Sequence, residues 1–274
     1  MYFLFDIGGT KMRFTTSVDN HHINEPLILD TPQNFNQAIQ TIKDHLPSLL
    51  GNQKIKKAAG GIAGMFDSQK SKLVRSPNLP DFEHQPLKEI LEETLQAPVF
   101  LENDAAMVGL GEATIGAGKG FDIVAYITIS TGVGGVRIVK GKIDTNKFGF
   151  EPGHQIINFT HSDHTGNFKV VELESLVSGK SVQKIYNQDP RDITDPDIWN
   201  LVSKEIAIGL TNTILHWSPD IVVLGGSVSK SLNIETIKKN AEELLIFPEI
   251  PEFRKAVLLD SSGLYGALHF LTSD

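Results

Sequence analysis

The chain has 274 residues, 40 % hydrophobic and 21 % charged, enough for about two ordinary hydrophobic cores and too apolar for wholesale disorder. Its 25 basic and 33 acidic residues leave a net charge of −8, which speaks against a nucleic-acid scaffold or a binder of anionic membranes. No uncharged run reaches the ~18 apolar residues that span a bilayer. There is no cysteine for disulfide or thiolate chemistry, and Met1–Phe5 meets Asp6 without the basic flank of a secretion signal, so a cytoplasmic location is expected.

Met1–Ile7 and Lys11–Val18 read as strands around a Gly8-Gly9 turn. Phe35–Leu50 carries apolar residues at helical spacing and stops at Gly51. Ala58–Phe66 reads as a buried strand running into a loop through Gly60, Gly61 and Gly64. The polar loop Ser76–Pro80 and a helix near Pro86–Leu95 follow. Pro98–Leu101 is a strand stub leading through Glu102-Asn103-Asp104 into a small-residue helix, Ala105–Gly116, an order that suits an α/β layered domain. After Gly116–Gly120, strand Ile123–Ile129, turn Ser130–Gly135 and strand Val136–Val139 echo the opening hairpin. Residues 155–172 are polar and histidine-containing, without a clear pattern. Helices are expected near Glu172–Asn187 and Pro196–Trp217, and a strand at Ile221–Leu224 before a glycine pair. A helix near Glu235–Leu245, a strand Ala256–Leu259 and a terminal helix Gly263–Leu271 complete the chain. The expected division is a small α/β domain over residues 1–112, a larger one over 113–261, and a helix in 262–274 packing back on the first.

Asp6-Ile7-Gly8-Gly9-Thr10-Lys11 places an acid at a strand end, then two glycines and a hydroxyl. Glycines let backbone N–H groups approach an anion, and Asp6 is placed to hold hydrated Mg²⁺ beside it. Alone, the hexapeptide reads equally as a plain β-turn. The turn Ser130–Gly135 repeats the arrangement, and two such turns facing each other from two halves would clamp a polyphosphate. Val222–Ser227, a strand ending in Gly225-Gly226, suits close contact with a nucleotide's base and sugar. The Gly-x-Gly-x-x-Gly signature is absent, and Ser178-Gly179-Lys180-Ser181 is no Walker A loop because Glu174 stands where its first glycine belongs. Asp104 could take a proton from an alcohol, with Asn103 bonding to neighbouring hydroxyls; alone, Asn-Asp before a helix reads as an N-cap.

Taken in order, Asp6–Lys11, Ser76–Pro80, Glu102–Ala105, Ser130–Gly135, Glu151-Pro152-Gly153-His154 and Val222–Ser227 resemble the ROK family of sugar kinases. The resemblance implies the actin-like ATPase fold, two ribonuclease-H-like α/β domains around a cleft. It also implies transfer of the ATP γ-phosphate to a hexose or N-acetylhexosamine, O6 of glucose or a relative. By the same resemblance Asp104 is the general base, and Gly64, Asn78, Asn103, Glu151, His154 and Glu174 contact the sugar. Asp6, Gly8, Gly9, Thr10, Lys11, Thr131, Gly132, Gly134, Gly225 and Gly226 contact ATP, with Asp6 on Mg²⁺ through water. Partners are the sugar and ATP, with no nucleic acid or membrane, and a homodimer that no sequence feature locates. A sugar-responsive repressor would need a helix-turn-helix ahead of Asp6, where five residues stand. A catalytically silent sugar or nucleotide binder of the same fold is the alternative; the Glu-Pro-Gly-His element disfavours another actin-like ATPase. Many relatives hold a structural zinc on a cysteine motif that Gln155–Glu172 lacks, so no zinc site is expected. Mixed ligation by His154, His161, Asp163 and His164 is the rival. Without zinc, a nearby carboxylate or carbonyl must orient His154.

Overall fold

In a computed structural model of the chain, residues 1–161 and 168–273 are described. They form two compact units, one of Met1–Gly116, Gly141–Gly149 and Leu258–Asp274, the other of Ala117–Lys140 and Phe150–Val257. The segment 141–149, grouped with the second domain in the sequence reading, falls in the first unit.

The first unit begins with the hairpin β1 (Tyr2–Ile7) and β2 (Lys11–Ser17), antiparallel with Asp6 opposite Arg13. β3 (Leu27–Asp30) adds to β2, and α1 (Phe35–Leu50) follows. Asn34 caps α1 by accepting from the Gln37 N–H, and Gly51 ends it at φ +54°. β4 (Lys57–Ile62) lies parallel to β1, and β5 (Met65–Phe66) and β6 (Leu73–Arg75) form a small antiparallel ribbon. Gly60 and Gly61 therefore belong to a strand rather than to the expected loop. α2 (Leu87–Leu95), β7 (Val99–Asn103) and α3 (Asp104–Thr114) complete this stretch, giving a sheet of order β3-β2-β1-β4-β7.

The alternation of β1 divides its side chains between two covered faces. Phe3, Phe5 and Ile7 pack with Phe35, Ile39 and Ile42 of α1 and Leu87 and Leu91 of α2. Leu4, with Ala59 of β4, packs on Met107 of α3 and on Leu264, Ala267 and Leu268.

The second unit opens with β8 (Ile123–Ile129) and β9 (Val133–Val139), antiparallel; a two-residue strand, β10 (Lys142–Ile143), follows in the chain. β11 (Ile156–His161) and β12 (Phe168–Glu172) are an antiparallel ribbon in the stretch that showed no pattern. The single helix expected near 172–187 is two, α4 (Glu174–Val177) and α5 (Gly179–Tyr186). Ser178 is extended between them (ψ 154°), and its side chain caps α5 by accepting from the Ser181 N–H. α6 (Pro196–Trp217), β13 (Ile221–Gly225), α7 (Ile234–Glu242) and β14 (Glu252–Lys255) follow. β13 runs parallel to both β8 and β14. The expected strand at 256–259 is displaced to β14: Phe253 is the residue packed against the core, while Val257 and Leu259 are exposed. The core gathers Ala125, Ile127 and Ile129 of β8, Val222 and Leu224 of β13, and Val202, Ile206, Leu210 and Ile214 of α6. Finally α8 (Ser262–Thr272) returns to the first unit and lies against α3. No helix among the described residues is long and apolar enough to cross a membrane.

Candidate active site

In the first unit the β1–β2 register sets an ion-pair chain. Arg13 Nη1 donates to Asp6 Oδ2 at 3.3 Å, and Nη2 donates to Asp260 Oδ1 at 2.6 Å. Burial, then the negative charge of Asp104, pushes the Asp6 pKa up to about 7 against the pull of Arg13. Burial likewise raises the pKa of Asp104, against bonds from backbone N–H groups and Asn103. Two desolvated carboxylates thus act on each other here, a setting that favours an added cation.

The turn after β1 is held from one side. The Gly8 carbonyl accepts from Thr31 Oγ1 (2.8 Å), that of Gly9 from Gln33 Nε2 (2.8 Å), and that of Thr10 from the Thr31 N–H (2.9 Å). The Gly8 N–H donates within the hairpin to the Lys11 carbonyl at 2.9 Å, so it is already used. The Thr10 side chain is exposed, and Lys11 Nζ pairs with Asp30 at the surface, 2.7 Å away. Gly9 is required by its neighbour: a Cβ there would lie 2.7 Å from Asn78 Cβ.

Asn78 thereby meets the turn, and two further glycines allow β4 to approach α3 and the loop after β4 to approach the end of β6. A Cβ on Gly61 would lie 2.8 Å from Asp104 Cα, and Gly64, at φ +140°, has the Arg75 carbonyl and Ser76 Cβ in the way, each at 2.8 Å. Asn103 joins these parts. Its Oδ1 caps α3 by accepting from the Ala106 N–H (3.1 Å), and its Nδ2 donates to the Gly64 carbonyl (3.0 Å). Asn103 is thus an N-cap that also ties the Gly64 loop to the start of α3 and bonds to Asp104. Asp6, Gly9, Gly64, Asn78, Asn103 and Asp104, spread over 99 positions of sequence, come together in this unit.

Three groups here escaped the sequence reading. Arg13 could have been found by counting back from the Gly8-Gly9 turn to the partner of Asp6. Asp260, 247 positions from Arg13, carried no signal. Buried Glu102 accepts from Lys70 Nζ (2.6 Å) and from the Asn103 N–H (2.8 Å), which fixes the strand end just before Asp104.

In the second unit the β8–β9 turn is shorter than expected. It occupies residues 130–132, and Gly134 lies in β9 opposite Thr128. The Ser130 N–H donates to the Gly132 carbonyl at 2.8 Å, and Glu174 Oε2 accepts from the Val133 N–H at 2.7 Å. Ser130 and Thr131 line a cavity of about 260 Å³ with Gly179, Lys180, Gln183, Arg191 and Ser227. Gly225 and Gly226 shape the end of β13 without lining that cavity. A Cβ on Gly225 would meet the Tyr126 ring, and Gly226 turns at φ +88° against the Ile129 carbonyl.

Glu151 and His154 flank one turn of 3₁₀ helix, residues 152–154, in which the His154 N–H donates to the Glu151 carbonyl at 3.1 Å. The carboxylate that orients His154 is Glu172, with Oε2 2.9 Å from Nδ1; this bond, then the charges of Glu172, Glu174 and Glu151, raises the imidazole pKa despite partial burial. Asp163 and His164 lie outside the described residues, as does the side chain of His161. Among the described residues no three metal-ligating side chains cluster.

The sequence profile of the ROK family matches residues 2–273. N-acetylgalactosamine kinase AgaK of Shewanella sp. is 26 % identical over 97 % of this chain and 95 % of its own length. N-acetyl-D-glucosamine kinase of Histophilus somni is 25 % identical over the whole of both chains. Among solved structures, the ROK hexokinase of Thermus thermophilus superposes with a TM-score of 0.83 at 26 % identity, covering 97 % of each chain. The ROK glucokinase of Streptomyces griseus, in complex with glucose and AMPPNP, superposes at 0.78 with 25 % identity and the same coverage.

Proposed function

This chain belongs to the ROK family and has its actin-like ATPase fold, and from that premise we propose that it transfers the γ-phosphate of ATP to a hydroxyl of a hexose or N-acetylhexosamine, with O6 of glucose or a related sugar as acceptor. The relatives named as glucokinase and as kinases of N-acetylated hexosamines support the substrate class. The observation that carries the reading is Asp104, a half-buried carboxylate of raised pKa at the start of α3, beside Asn103 and within reach of the charge of Asp6.

In this reading the first unit supplies base and sugar contacts. Asp104 accepts the proton of the sugar hydroxyl as that oxygen attacks the γ-phosphorus, and its raised pKa brings it closer to the alcohol it must deprotonate. Asn78, the Gly64 backbone and Asn103 hold neighbouring hydroxyls, and the family resemblance adds Glu151, His154 and Glu174 to the sugar's contacts. Exposed Thr10 and the amides of its turn receive phosphate oxygens. The second unit supplies the nucleotide site: Thr131 and its turn at the phosphates, with Lys180 placing positive charge in the adjoining cavity, where Arg191 is paired with Asp189. Mg²⁺ would fit Asp6, a buried carboxylate that shares the Arg13 guanidinium with exposed Asp260 and feels the negative charge of Asp104, and the ion would offset phosphate charge. A cytoplasmic location and a homodimer complete the reading, the latter testable by light scattering.

A coupled ADP-release assay over glucose, mannose, fructose and their N-acetylated amino forms tests the activity. Sugar-dependent ADP release is expected for at least one hexose. Binding of a sugar without turnover of any would instead favour the catalytically silent alternative.

A further inference from the structure

Glu174, which the family resemblance assigns to the sugar, and nearby Gly179 grip the second phosphate turn at both ends. At the start of β9 the Val133 N–H donates to Glu174 Oε2 at 2.7 Å. At the end of β8 the Ser130 carbonyl accepts from the Gly179 N–H, also at 2.7 Å. The carboxylate lies close over the turn: a Cβ on Gly132 would be 2.7 Å from Glu174 Oε2 and would push it aside. Glu174 itself is braced, since its carbonyl accepts from the Ser178 N–H (3.2 Å) and from Ser181 Oγ (2.9 Å). Thr131, held between the two grips, lines the cavity together with Gly179 and Lys180. On its other side Glu174 lies within electrostatic range of His154. The bond to the turn engages Oε2 and leaves Oε1 for a ligand hydroxyl.

We propose that Glu174 is a positioning residue for the nucleotide: Oε1 takes a sugar hydroxyl while Oε2 holds the Val133 amide, so that sugar and ATP bind cooperatively through one carboxylate. The sugar end of this inference rests on the sugar-kinase reading; the nucleotide end rests on the clamp alone. A carboxylate immobilised by the sugar holds the turn in one arrangement before the nucleotide arrives, so the nucleotide loses less conformational freedom on binding. Coupling of this kind is reciprocal, each ligand tightening the other by the same factor.

The test is calorimetric titration of the full-length protein with AMPPNP, with and without a saturating sugar from the turnover panel, on the parent, Glu174→Ala and Glu174→Gln. In the parent, sugar should tighten AMPPNP about 5-fold or more, and AMPPNP should tighten sugar equally. Glu174→Ala should weaken AMPPNP several-fold even without sugar, although the side chain never touches the nucleotide, and should bring the coupling factor to about 1. Glu174→Gln keeps an acceptor for the Val133 N–H and should restore the sugar-free affinity. A residue that only binds sugar would leave sugar-free AMPPNP affinity unchanged in all three proteins, and that result overturns the proposal. Should the alanine variant fail to fold, Glu174→Asp replaces it, being one methylene too short to span both partners. Turnover of sugar without any coupling in the parent refutes the cooperative link and spares the kinase reading; absence of turnover on every sugar refutes the kinase reading, and the sugar-free AMPPNP affinities of the three proteins then decide the clamp by themselves.

Discussion

As the base proposed above, Asp104 would have to be both shielded and reachable, and its neighbours divide those tasks. Gly61 lets β4 run close beneath it, Asn103 fixes the first turn of its helix, and Glu102, tied to Lys70, fixes the strand end before it. Asp104→Asn keeps the shape and removes the proton acceptor. It should lower kcat by ~10²–10⁴ with sugar affinity roughly intact, as steady-state kinetics and direct titration with sugar can show. His154 gives a pH prediction. Its folded pKa lies above the ordinary 6.5, first because of the Glu172 bond, so the native state binds this proton more tightly than the unfolded chain. The stabilisation from the pair is therefore complete below pH about 6.5 and is lost as pH rises through the folded value. In Glu172→Gln the imidazole should titrate at lower pH than in the parent, a shift read directly by NMR. If the two proteins titrate alike, Glu172 does not set the state of this histidine.

Between α3 and α8 the contact is made by backbone rather than by interlocking side chains. A Cβ on Gly111 would lie 2.1 Å from the Ser262 carbonyl oxygen, and one on Gly266 would lie 1.9 Å from that of Met107. Neither obstacle is a flexible side-chain end, so Gly266→Ala must push the helices apart. Denaturant unfolding should show a loss of at least ~1–3 kcal/mol, the usual range for overpacking. A stability equal to the parent would mean that α8 does not sit on α3 this closely. Sequence and structure agree best for elements with both a pattern and punctuation: α1 between Asn34 and Gly51, α6 behind Asp195-Pro196, and the hairpin around Gly8-Gly9. They part where the deciding contact is distant. β11 and β12 carry apolar side chains such as Phe159 and Phe168 on exposed faces, so no alternation marks a core side. β14 has a single core-facing residue, Phe253, while the exposed Val257 and Leu259 beyond it mimic a buried strand. At the site, the residue types and their order were legible from the glycine turns and from Asn103-Asp104. The clamp of Glu174 on Val133 and the bond of Glu172 to His154 were not, because each joins residues whose proximity only the folded second unit creates.

Across the whole chain, metal dependence follows from composition: with no cysteine, three of the usual zinc ligands are missing. Elemental analysis should find no stoichiometric zinc, and activity removed by a chelator should return fully with Mg²⁺ alone; about one zinc per chain would reinstate a site on the histidines near 154–164. The first unit is also discontinuous, and its second core face consists of Leu4, Ala59 and Met107 covered by Leu264, Ala267 and Leu268. Removal of residues 258–274 should expose that face and abolish cooperative unfolding of the first unit, whereas calorimetry should still detect a transition from the second, whose residues are all retained. A second ledger of consequences concerns the order of synthesis. The stretch bearing Asp6 and Asp104 emerges from the ribosome early, yet its covering helix α8 is translated only after the whole of the second unit. At ~5–20 residues per second, the roughly 140 intervening residues keep that apolar face open for about 7–30 s, time in which chaperones have a binding surface and the second unit can fold first. The first unit cannot close before α8 is made, so a translation product cut short of Ser262 keeps the cavity of the second unit and leaves the face of Leu4, Ala59 and Met107 without its cover.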